Sequence, residues 1–209
     1  PGNNYHLTLH VTGSIHNESD NFEYVYEPTV DNSEMTFDSG RYTKNFDGEK
    51  ISGNALGLSV NKRTRTDNFG LVVRLRSPGF RTSNGFETNN ATKWLKANRG
   101  KSVYYENHPV LLKTDYDIEI NYKTNYTGLI KKQRLALSTG SDLRNGDFFK
   151  VSAELEKENF RGYQFDNLYE FEFGYRNQIN SKFKLYNEIQ SREIIIRNLD
   201  VPENSNFYQ

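Results

Sequence analysis

No cysteine occurs among the 209 residues. A disulfide framework and thiolate metal ligation are therefore excluded, although compartment stays open, because many exported bacterial proteins also lack the residue. An excess of one charge is missing as well, since 27 lysines and arginines balance 27 aspartates and glutamates. Nucleic-acid binding calls for a basic face and polybasic membrane targeting for a basic run, so the balance argues against both. No apolar run approaches the roughly 20 residues of a membrane-spanning helix. That excludes a helical membrane protein but not a transmembrane barrel, whose lipid face occupies only every second residue. The chain opens on Pro1-Gly2-Asn3-Asn4 without an initiator methionine, basic n-region or apolar h-region, and Val201 to Asn206 reads as a linker. The expectation is a single all-β domain over residues 1–209, cut from a longer chain.

What is present is aromatic. Tyrosine and phenylalanine supply fourteen residues each, against one tryptophan and one methionine. Such a supply suits a pleated, half-buried sheet better than a helical bundle. Period-two alternation, which sends successive side chains to opposite faces, then marks the strands. Leu56, Leu58 and Val60 alternate with glycine and polar residues, and after a turn at Thr66-Asp67-Asn68 the run Phe69, Leu71, Val73, Leu75 answers them. The hairpin stops at Ser77-Pro78-Gly79-Phe80, where proline removes a donor and glycine permits a bend. From there to Pro109 the sequence predicts a long polar loop, residues 77–109.

Further runs predict strands through Tyr5 to Val11, Phe22 to Tyr26, Met35 and Phe37, Tyr42 to Phe46, Tyr116 to Tyr122, Leu129 to Leu137, Phe149 to Leu155, Tyr169 to Tyr175 and Phe183 to Ile189. The triplet Ile194-Ile195-Ile196 reads as a last strand or a junction. Asn125 to Gly128 and Asn145-Gly146 supply turn chemistry between them. The sum is an antiparallel up-and-down meander of eight to ten strands with no helix.

Alternation does not by itself choose between a transmembrane β-barrel, or a large part of one, and a β-sandwich. Three features favour the barrel. Tyr116 and Tyr122, and Tyr169 and Tyr175, bracket apolar stretches as aromatic girdles do. The opposite strand face is unusually charged, and the connections divide into many short ones and one very long one. Moreover, Gly57-Leu58-Ser59-Val60-Asn61-Lys62, a strand, Ser77-Pro78-Gly79-Phe80 and Asn84-Gly85-Phe86 together resemble the C-terminal barrel region of large envelope proteins of Bacteroidota and related bacteria, a family without settled function. Its members typically carry a family-nine carbohydrate-binding-like domain ahead of the barrel, and usually an acidic residue near the second element, where this chain has Ser83-Asn84-Gly85. The resemblance covers Asn54 to Trp94 most clearly. It implies an outer-membrane location, with membrane lipid, and glycans or other envelope proteins, as partners.

In the barrel reading Lys131, Arg134, Glu154, Glu170 and Glu172 line the lumen, and the protein acts as a channel, anchor or complex component. In the alternative, a secreted glycan-binding sandwich, Phe80, Phe86, Trp94, Tyr104 and Tyr105 stack on sugars, although a loop that folds inward would bury them. A third reading, a polysaccharide-degrading enzyme, needs a carboxylate pair such as Asp117 and Glu119 or Glu170 and Glu172. Their Cα spacing of ~6–7 Å permits glycosidase geometry, yet acidic strand faces paired with lysine and arginine are the commoner case. His6 and His10 share a face, but ~13 Å separates their Cα atoms, too far for one ion. Nucleophile, phosphate-loop and calcium-loop motifs are missing. The sequence therefore points to no enzyme, cofactor or metal. The sequons at Asn17, Asn90 and Asn125 arise easily in a chain this rich in Asn, Ser and Thr.

Overall fold

A computed structural model describes residues 5–17, 36–37, 40–43, 48–80, 91–160, 162–180, 182–197 and 202–208. The described residues form twelve strands and no helix. Ten of them make one antiparallel sheet: β1 (Tyr5–Asn17), β4 (Lys50–Arg63), β5 (Asp67–Arg76), β6 (Thr92–Tyr104), β7 (Leu111–Asn125), β8 (Ile130–Leu143), β9 (Phe148–Phe160), β10 (Tyr163–Gln178), β11 (Lys184–Ile196) and β12 (Glu203–Tyr208). Each strand pairs with its neighbours in chain order once the two-residue strands β2 (Thr36–Phe37) and β3 (Tyr42–Thr43), which pair only with each other, are set aside. The up-and-down meander is thus the observed architecture. The sheet is open, with β1 at one edge and β12 at the other, unpaired with each other among the described residues.

All ten long strands lie in one sheet, and no second sheet stacks on it among the described residues, which is the arrangement of a meander and not of two packed sheets. Phe171, Phe173, Ile118 and Ile120, which a sandwich would bury, are all exposed. The predicted loop over residues 77–109 also needs correction, because β6 occupies its middle. On the face where neighbouring strands are apolar, β6 offers Lys93, Leu95, Ala97, Arg99, Lys101 and Val103, half of them charged, so its alternation is nearly silent. Cross-strand hydrogen bonding to β5 and β7 along its whole length forms the strand regardless. The strand predicted over Phe22 to Tyr26 lies outside the described residues, as does Met35. The isoleucine triplet ends β11.

The connections sort by rim. At one rim β4–β5, β6–β7, β8–β9 and β10–β11 are joined by residues 64–66, 105–110, 144–147 and 179–183. The opposite rim carries both long connections, 18–49 and 77–91, beside the tight turns 126–129 and 161–162. Turn chemistry explains the tight ones. The Asn125 side chain accepts from the Leu129 amide at 2.7 Å, and Gly128 takes φ +100°, a conformation open to glycine at little cost. Asn180 likewise accepts from the amides of Lys182 and Phe183, both at 2.9 Å.

The short-turn rim is also stitched laterally. Arg144 donates to the carbonyls of His108 (2.6 Å), Tyr105 (2.7 Å) and Glu106 (2.5 Å), clamping the β6–β7 turn to the β8–β9 turn. His108 Nδ1 accepts from the amides of Val110 and Leu111, so the most structured histidine organises a turn.

Candidate functional site

The candidate site is the contrast between the two faces of the sheet. Because the pairing register is almost unbroken, alternating side chains line up in rows that cross many strands. One row runs Leu7, Val60, Leu71, Ala97, Ile120, Leu135, Leu155, Tyr169 over eight neighbouring strands. A parallel row carries Leu9, Leu58, Val73, Leu95 and Tyr122. Nothing among the described residues packs on this face, and its side chains are open: Leu9 is 61% exposed, Leu155 60% and Phe171 46%.

The opposite face reverses the usual order of burial. Glu154, Glu156, Glu158 and Glu172 have side chains only 13–19% exposed. They are held by neighbours in a ladder of ion pairs. Lys96 meets Glu119 at 2.8 Å, Arg134 donates to Glu119 at 3.1 Å and also to Glu154, and the chain of contacts thereby spans β6 to β9. Lys132 pairs with Glu156 at 2.7 Å, Arg197 grips Glu158 through two hydrogen bonds of 2.6 and 2.9 Å, and Lys150 meets Glu172 at 2.8 Å. Glu170 accepts from Gln190 at 2.9 Å. A planar guanidinium with two carboxylate partners is a strong positional constraint, so these side chains are held to their neighbours across the sheet.

Four of the five side chains assigned to a lumen, Arg134, Glu154, Glu170 and Glu172, share this charged face. Lys131 does not join them. It falls at the register irregularity between the Lys123–Lys132 and Thr124–Ile130 pairs, and Lys132 takes the place on the charged face. Alternation alone separates Lys131 from Arg134, since the two are three positions apart and so leave opposite faces of the strand. The carboxylates weighed for catalysis sit here too: Glu119, Glu170 and Glu172 accept from Arg134, Gln190 and Lys150 respectively. Among the described residues no three His, Asp or Glu side chains converge as metal donors would.

The five aromatics proposed to stack on sugars do not form one platform. Phe80 is 5% exposed, and Gly79 before it lies against Ile51. Segment 77–80 reaches that position because Gly53 has no side chain: a Cβ there would lie 2.1 Å from the Phe80 amide nitrogen. By alternation this is the charged face, so the connection folds over it at the long-connection rim. Trp94 stands on the same face within β6, donating from Nε1 to Asn121 Oδ1 at 2.7 Å, with the Arg74 guanidinium 4.8 Å above its ring. Tyr104 is at the other rim, near Arg65 at 4.6 Å, and Tyr105 tilts against His108 in the β6–β7 turn. Phe86 lies outside the described residues. Sequence reading missed Phe165 and Leu168, which are buried on the charged face. The register shift between Phe165 and Leu168 hides their parity, and Asn167 at φ +62° is its local mark.

The apolar belt does not follow the rows; it slants across them. On β4 it centres on Leu58, whose row meets β7 at Tyr122. On β10 it centres between Phe171 and Phe173, whose rows meet β7 at Ile118 and Tyr116. The belt thus drifts by about five residues over the six steps from β4 to β10. At ~3.3 Å per residue and ~4.8 Å between strands, a belt perpendicular to a membrane normal would have its strands tilted by about 30°.

No protein-family model matches the chain, and no curated protein and no solved structure matches it significantly.

Proposed function

We propose that the chain forms the wall, or a large part of the wall, of an outer-membrane β-barrel in a bacterial envelope, serving as a channel, an anchor or a component of a larger envelope complex without catalysis of its own. The observation that carries this reading is the inverted burial: a continuous face of exposed leucine, isoleucine, valine and phenylalanine backs a face of mutually paired, half-buried charges. In water at ~25 cal/mol per Å² of apolar surface, such an arrangement forgoes the main driving force of folding. In lipid it is the expected one, because hydrocarbon meets the apolar face and the ions remain within the wall.

Three further features support the reading. The ~30° slant of the belt is close to the tilt of ~35–45° that barrel strands adopt. Tyrosines 116 and 122, and 169 and 175, stand near the two ends of the belt on their strands. Short turns gather at one rim and both long connections at the other, the division seen between periplasmic turns and extracellular loops. The likeness of residues 54–94 to barrel regions of Bacteroidota envelope proteins points to the same location. Helices do not bear on the matter: none among the described residues is long and apolar enough to cross a membrane.

Brominated lipids test the assignment directly. The protein has one tryptophan, Trp94, on the charged face. Reconstituted into vesicles of brominated phosphatidylcholine, native Trp94 is expected to keep most of its fluorescence. A Trp94→Phe, Leu137→Trp variant is expected to lose most of it, because position 137 faces lipid. Equal quenching at the two positions, or a protein that stays monomeric in buffer without detergent, would sink the proposal.

A further inference from the structure

The apolar face carries two cations that the belt alone does not explain. Arg99 and Lys101 stand on it in β6, cross-strand from Ile118 and Tyr116 on β7 and from Phe69 and Asp67 on β5. Both are exposed, and neither makes an ion pair among the described residues. Asp67, the carboxylate nearest in register, is instead engaged by the Thr66 hydroxyl at 3.0 Å. A shallow, open depression of about 500 Å³ lies beside them. Tyr116, Ile118 and Leu137 wall it, and Thr139, Val151 and Ala153 line its remainder, where the side chains of β8 and β9 shorten. An apolar trough with two cations at its mouth, on the side of the short-turn rim, has the two halves of a lipid-shaped site.

Resting on the membrane reading above, we propose that this trough binds one anionic phospholipid, its phosphate between Arg99 and Lys101 and an acyl chain along Ile118, Leu137 and Ala153. Charge complementarity selects the headgroup. Arginine pairs with phosphate through a planar fork, and an uncompensated arginine on a lipid-facing strand is unfavourable away from the interface. Lys101 lies further towards the short-turn rim, where a lysine reaches the headgroup layer with its stem still in contact with Tyr116. The shortened side chains at 139, 151 and 153 supply the chain's half of the site, since a full-sized side chain at 153 would fill it.

Native mass spectrometry of the detergent-solubilised protein tests this with phosphatidylglycerol and phosphatidylcholine of matched chain length. One cation near an anionic surface is worth on the order of a fivefold preference, so phosphatidylglycerol is expected to occupy the protein at least about fivefold more. R99Q/K101Q is expected to reduce it to the phosphatidylcholine level, and Ala153→Phe to lower the occupancy of both lipids. Equal occupancy by the two lipids, or a phosphatidylglycerol preference unchanged in R99Q/K101Q, would overturn the site. Displacement of phosphatidylglycerol by millimolar inorganic phosphate, with Ala153→Phe without effect, would overturn the role of the trough. If lipid quenching at position 137 succeeds while the headgroup preference fails, the lipid site falls and the barrel reading stands; failure of the quenching itself removes the barrel reading.

Discussion

The Tyr175 hydroxyl donates a 2.7 Å hydrogen bond to Asp147 Oδ2, joining β10 to the turn between β8 and β9. Asp147 is nearly buried, at 5% exposure, and also accepts from the Gln178 amide at 2.7 Å and the side chains of Asn177 and Asn145 at 3.0 and 2.8 Å. The two links, Arg144 to the preceding turn and Asp147 to the following strand, make the short-turn rim a continuous band across β6 to β10.

A pH dependence follows from Asp147. The Gln178 amide, then the Tyr175 hydroxyl, hold its carboxyl below the usual carboxylate range, with the Asn145 and Asn177 side chains adding to this against the cost of burial. A group whose folded value is depressed stabilises the fold above its unfolded value, and that contribution disappears as pH falls through the folded value. The wild-type protein is therefore expected to lose stability on acidification below about pH 4, the ordinary aspartate value. Asp147→Asn is expected to be less stable than wild type at pH 7 and to close that gap at low pH. Chemical unfolding in detergent at a series of pH values measures both; a gap constant with pH would remove the carboxylate from the explanation.

Gly53 gives a steric prediction. A methyl group at this position meets the Phe80 backbone, which cannot yield as a flexible side-chain tip can. Gly53→Ala is expected to cost about 1–3 kcal/mol, the range for overpacking a tight site, and to lift segment 77–80 away from Ile51. Hydrogen exchange at the Phe80 amide, which donates to the Ser77 carbonyl at 3.1 Å, should accelerate in the variant. Unchanged protection would show that the contact with Gly53 does not hold the segment.

Adjacent positions on β8 separate the two faces. Leu137 belongs to the apolar belt and is 48% exposed, whereas Ala136 lies between Glu119 and Glu154 on the charged face. Leu137→Arg is expected to destabilise the protein folded in vesicles by ~2–4 kcal/mol, the penalty for arginine near the bilayer midplane. Ala136→Arg, placed between two carboxylates, should cost far less. Denaturant titration of the vesicle-folded variants gives the comparison, and equal losses would contradict the assignment of the faces.

Strand patterning was legible wherever one face was uniformly apolar. Phe69 to Leu75 and Tyr169 to Tyr175 announce themselves because tyrosine, phenylalanine, leucine and valine recur at every second residue. β6 escaped because lysine and arginine take three of its six apolar-face positions, and what holds it is hydrogen bonding to the strands on either side. Turn residues such as Asn125 and Asn145 could be read directly, since their own side chains make the turn. Long-range relations could not. The inward fold of Phe80 depends on Gly53, 27 positions earlier, and the placement of Phe165 and Leu168 on a register shift between β9 and β10. The ion-pair ladder was visible only as interleaved charges, because which lysine meets which glutamate depends on the register between strands.

β1 forms one edge of the sheet, and among the described residues no strand pairs with the outer side of Tyr5 to Gly13. Hydrocarbon offers the amides and carbonyls of such an edge nothing, at several kcal/mol for each one left bare. Whatever seals that seam in a bilayer must supply a full row of donors and acceptors, with greasy residues at alternate positions on the lipid side. A second copy of β1 does not serve: two copies meeting at their outer edges are related by a half-turn about the strand, which puts a polar face outward, or about the sheet normal, which swaps the two rims.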